Sequence, residues 1–110
     1  MPLDEDGYPT EESLKYIKSW KYDAKALPEF LAYVHDTWWA PEGGFRIKTR
    51  TLEMATGGWS GNEDTESALR HNMMFQMFHW KMSKRGGLTV YEIPRSVATK
   101  VRALISQELA

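Results

Sequence analysis

The chain has 110 residues, 42% of them hydrophobic and 26% charged, with a formal net charge of −1 and no cysteine. That length suits one domain with a real core, the balance excludes global disorder, and the missing thiols exclude disulfides, thiolate zinc sites and a cysteine nucleophile. The first residues, Met-Pro-Leu-Asp-Glu-Asp, lack an apolar h-region, and no run approaches the ~18 apolar residues of a membrane span; this predicts a cytoplasmic protein. Charge is unevenly placed. Residues 1–12 hold five acids and no base, whereas residues 67–102 hold seven bases and one acid, Glu92. Such polarity steers a charged partner, or lets the acidic end fold back over the basic surface.

An acidic tail over 1–9 precedes a single α+β domain over 10–110. TEESLKYIKSW (10–20) opens with Thr10 as N-cap and Glu11 and Glu12 in the first turn, and Leu14, Ile17 and Trp20 line one face. A second helix starts at Pro28, with Leu31, Val34 and Trp38 as its stripe. Pro41 disfavours helical geometry at Ala40, and Gly43-Gly44 completes the break. FRIKTRTLEMAT (45–56) alternates but changes phase: Phe45 and Ile47 are apolar at odd positions, Leu52 and Met54 at even ones. That requires a bulge or a tight hairpin around Lys48–Thr51.

The run from Asn62 to Arg85 reads as one long helix, acidic at its start, basic at its end and stopped by Gly86-Gly87. Seven of the ten residues from Met73 to Met82 are apolar, too many for a one-sided stripe, so this helix is expected at the centre of the fold. Asn72, Gln76, His79 and Ser83 stack on one of its faces. LTVYEI (88–93) reads as a strand, and Val97, Val101, Leu104, Ile105 and Leu109 mark a C-terminal helix. The order α-α-β(β)-α-β-α predicts a small two-layer domain with a two- or three-stranded sheet on the long helix.

Residues 56–64, TGGWSGNED, form a Gly-rich turn before a helix, an environment that suits anions. It is no phosphate loop, since no Lys-Ser/Thr follows, and no nucleophile elbow, since Asn62 replaces the last Gly. Glu63, Asp64 and Glu66 would repel a phosphate, so the loop's own side chains are expected to cap the helix. Trp59 either plugs the core or faces a partner. Trp38 and Trp39 point about 100° apart on a helix, so one is buried and the other left for contact. The histidines lack metal-ligand spacing; no metal and no cofactor are expected. Ser60, Glu63 and His71 form a weak hydrolytic set. Arg46, Lys48 and Arg50 alternate on a strand, and with Lys84 and Arg85 they define a nucleic-acid-binding alternative.

TEESLKYIKSW, WWAPEGGFR, LEMATGGWSGNEDTESAL and MFQMFHWKMSKRGGLTVYEI together resemble a family of short uncharacterised bacteriophage and prophage proteins. The resemblance spans most of residues 8–93, and TGGWSGNE followed by a helix and RGG is its specific part. Relatives hold a longer turn before TGGWSGNE. The resemblance implies a phage-derived accessory protein in a bacterial host cell, with no activity or catalytic residues to carry over. The expectation is a non-enzymatic module that binds a host or phage protein and modulates or inhibits a host process such as antiviral defence. Trp39, Trp59, Lys81, Lys84 and Arg85 are its candidate contacts. A nucleic-acid or nucleotide binder and a small hydrolase or transferase are the alternatives.

Overall fold

Local signals set the first two helices. In the computed structural model, which describes residues 2–39 and 41–109, the Thr10 hydroxyl accepts a hydrogen bond from the Ser13 N–H at 3.1 Å and starts α1 (Glu11–Ser19). This satisfies one of the helix's unpaired N–H groups. Ile17 is fully buried, and Trp20, just past the helix, stacks on Phe30 with centroids 3.9 Å apart. A 3-10 turn (Ala24–Ala26) leads into α2 (Leu27–Asp36), with Pro28 in its first turn and Phe30, Leu31 and Val34 buried. Ala40, where the Pro41 break is expected, lies outside the described residues; a single helical turn, α3 (Pro41–Gly44), follows it.

The phase change resolves as a hairpin. β1 (Phe45–Ile47) pairs antiparallel with β2 (Thr51–Ala55), placing Phe45 opposite Met54 and Ile47 opposite Leu52. Odd positions of one strand and even positions of the next thus reach the same side.

The long 62–85 helix does not form. α4 (Ser60–Arg70) ends at His71, α5 (Met73–His79) is a separate helix, and the chain then turns into β3 (Trp80–Lys84) and β4 (Leu88–Glu92). Asn72 makes the break: its Oδ1 accepts from the Phe75 N–H, capping α5, while its Nδ2 donates to the carbonyls of Ile17 and Trp20. Gly86 and Gly87, read as a helix stop, have φ of +89° and +81° and close the β3–β4 hairpin instead. Positive φ serves either purpose, so the glycines do not distinguish the two.

With β3 added the sheet has four antiparallel strands rather than two or three, in the order β1-β2-β4-β3. Helices pack against one face, where Phe45, Leu52, Met54 and Tyr91 join the core with Phe30, Leu69 and Phe75. α6 (Arg95–Leu109) lies along α2 and buries Val97, Ala98 and Val101; the Leu109 side chain is outside the described residues. The register aligns Arg46, Glu53, Val90 and Met82 across the other face. The molecule is therefore a small mixed α+β domain with helices on a small antiparallel sheet.

Candidate protein-binding surface

Of the neighbouring tryptophans, Trp38 is 2% exposed and Trp39 49% exposed; both lie beyond the end of α2 at Asp36, so one ring is buried and the other exposed without the helical offset expected to divide them. Trp59 lies between the inward and outward extremes. It is the middle ring of a stack, 4.8 Å from Tyr8 on one side and 4.8 Å from Trp39 on the other. The Asn62 amide fixes this arrangement: it accepts from the Trp39 N–H at 2.8 Å and donates to the Trp39 and Thr56 carbonyls. The expected capping of α4 by the loop's side chains does not occur, because Trp59 holds the N-cap position without a side-chain bond and Asn62 is committed elsewhere. Gly57 and Gly58 (φ +63° and +78°) make the turn.

The acidic tail is part of the stack. Asp4 Oδ1 accepts from the Asp6 and Tyr8 N–H groups at 2.9 Å, and a bridge joins Leu3 to Pro9, which holds Tyr8 against Trp59. Among the described residues no ion pair links the tail's acids to the bases of 81–85.

Six of the nine exposed large hydrophobic side chains among the described residues fall in 73–82, a segment expected in the core. On α5 Phe75 and His79 point inward, while Met73 (68% exposed), Met77 (74%), Phe78 (59%) and Met74 cover the outside. All five residues of β3 are exposed, including Trp80 (53%) and Met82. A groove of about 480 Å³ lies between Met77, Trp80 and Tyr91, with Arg70 at its rim. Lys81 is 3.4 Å from Glu92, and Lys84 and Arg85 make no ion pair among the described residues. The spacing 73, 74, 77, 78 marks one face of a helix, a signal available once the helix is known to be short. Thr56 links Asn62 to the β3–β4 turn: its N–H donates to the Gly87 carbonyl and its own carbonyl accepts from Asn62.

The polar row of 72–83 is not a surface stripe. Gln76 Nε2 donates to the Leu69 carbonyl and the Tyr91 hydroxyl, each at 3.0 Å, and Ser83 accepts from the Trp80 indole. Burial pushes the Tyr91 hydroxyl up to about 12. His79 Nδ1 faces the Glu92 carbonyl at 2.8 Å, and a carbonyl only accepts, so Nδ1 carries the proton. Nε2 is then free to accept from the Tyr22 hydroxyl at 2.7 Å. Burial lowers the His79 pKa, with the Glu92 bond opposing in part.

Between that lowered value and the ordinary ~6.5 the unfolded chain binds a proton that the folded chain does not. The contribution of His79 to stability is therefore complete above about pH 6.5 and declines as pH falls toward the folded value. Urea midpoints from pH 7.5 to 5 are expected to fall, and His79→Gln is expected to flatten part of that fall. An identical pH profile in the variant would refute this origin.

Of the residues in the nucleic-acid alternative, Arg46, Lys48 and Lys84 lie on the open face of the sheet, but Arg46 and Lys48 both pair with Glu53, at 3.9 and 3.0 Å. Arg50 sits in the β1–β2 turn, and Lys84 lies three strand spacings from β1, about 14 Å. Ser60 and Glu63 are near the start of α4 and His71 follows its end, about 16 Å along the axis from Ser60; the His71 ring bonds the Ser67 carbonyl. Among the described residues no three His, Asp or Glu side chains are placed to hold a metal ion, and no helix is long and apolar enough to cross a membrane. Comparison with family models, with curated proteins and with solved structures gives no match to this chain.

Proposed function

We infer that the protein is a phage-derived, non-enzymatic binding module that docks on a host or phage protein and modulates a host process such as antiviral defence. The phage origin is drawn from the TGGWSGNE…RGG resemblance. The observation that most supports binding is the apolar band of Met73, Met77, Phe78, Trp80 and Met82 beside Lys81, Lys84 and Arg85. Clustered exposed apolar side chains mark interaction sites, methionine adapts to a partner's shape, and tryptophan is a common binding anchor. Trp39 extends the contact beyond Thr56, and Trp59 positions it.

Affinity capture from infected host cells tests this. The wild-type chain is expected to retain a stoichiometric partner. The Met77→Asp/Trp80→Asp variant should bind it at least about 100-fold more weakly, and because Trp80 is only 53% exposed its urea midpoint is measured alongside and is expected to fall modestly, with the variant still folded at the assay condition. Absence of any stoichiometric partner would overturn the reading. Binding to oligonucleotides that weakens steeply with salt would favour the nucleic-acid alternative instead.

A further inference from the structure

We propose that the free edge of β3 takes up an extended segment of the partner as a fifth strand, one in which acidic residues alternate with apolar ones. The proposal rests on the binding function inferred above and names the partner's chemistry. β3 is an outermost strand, paired only with β4, and all five of its residues are exposed. Its outward N–H and C=O groups are therefore a template for another strand.

Side-chain placement supplies the alternation. Trp80 opposes Tyr91 and Ser83 opposes Thr89, on the helix-covered side, where Trp80 and Met77 wall the 480 Å³ groove. Met82 opposes Val90 and Lys84 opposes Leu88, on the open side, and Lys81, at the irregularity between Trp80 and Met82, reaches Glu92 on that same side. An added strand sends successive side chains to opposite faces. Those over the groove meet Met77 and Trp80 and must be apolar; those on the open face meet Lys81 and Lys84 and gain by being acidic.

The same lysines disfavour a second copy of this chain. Antiparallel pairing of β3 with itself keeps the open faces together and brings four lysines onto one side, whereas an acidic strand neutralises them.

A displayed library of random twelve-residue peptides, selected on the immobilised wild-type chain, provides the probe. Enriched peptides are expected to alternate acidic with apolar residues, to protect the amides of Trp80–Lys84 from hydrogen exchange, and to bind Lys81→Glu/Lys84→Glu about tenfold more weakly. N-methylation at every second peptide residue should abolish binding in one phase and spare it in the other. Peptides that bind Met77 and Trp80 with helical spacing and leave β3 amides exchanging would overturn the strand edge while preserving the binding function. Enrichment of no peptide would count against the strand edge, and capture of the partner by the wild-type chain would still uphold the broader reading.

Discussion

Replacing Asn72 with alanine is expected to lower the unfolding free energy by about 4 kcal/mol. One side chain serves two helices. Its Oδ1 caps α5 through the Phe75 N–H, and its Nδ2 donates to the Ile17 and Trp20 carbonyls at 2.9 and 3.0 Å at the end of α1. Losing a cap costs about 1 kcal/mol, and each buried carbonyl left without a donor adds about 1–3 kcal/mol. Asn72→Asp retains the cap acceptor but loses both donors, so it should recover no more than the capping part. Urea unfolding followed by circular dichroism measures all three chains. A loss below about 1 kcal/mol for the alanine variant would show that the α1 contacts contribute nothing net.

Phe75→Ala is expected to cost about 3–5 kcal/mol, whereas Met77→Ala, two residues away, should stay within about 0.5 kcal/mol. Phe75 is 0% exposed and its ring lies 5.0 Å from Tyr91, 5.0 Å from His79 and 5.9 Å from Phe30. Removing it opens a cavity at the junction of α5, α2 and the sheet. Met77 faces away from that core. Comparable urea midpoints for the two variants would contradict the assignment of inner and outer faces on α5.

The difference between these neighbours explains where sequence reading succeeded. Thr10, Pro28 and the 45–54 phase change depend on nearby residues, and each produced the element that its local chemistry implies. The 62–85 segment failed because its decisive contacts are remote. Asn72 breaks the helix by reaching α1, more than fifty residues earlier, and His79 turns inward to Tyr22. Charges at both ends and two glycines agree with one long helix, and they outweigh the local signal against it, Asn72, a favoured N-cap residue that accepts from the Phe75 N–H three residues on. The surface followed the same error, since apolar residues 73–82 on a central helix would be core, but on a short helix and an edge strand they meet water. The exposure of Trp39 agrees with the expectation but not with its reason, since α2 stops at Asp36 before either tryptophan; the role of Trp59 depends on Tyr8 folding back from the tail, which no local signal announces.

The order β1-β2-β4-β3 makes the sheet two local hairpins joined along the single β2–β4 seam. The seam holds Leu52 against Tyr91 and carries the core, while β3 hangs outside it with no residue buried. Substitutions along β3 thus reach the core through its pairing with β4 rather than through buried side chains of its own. The core therefore constrains the side chains of β3 less tightly than those of the β2–β4 seam, although both belong to one sheet.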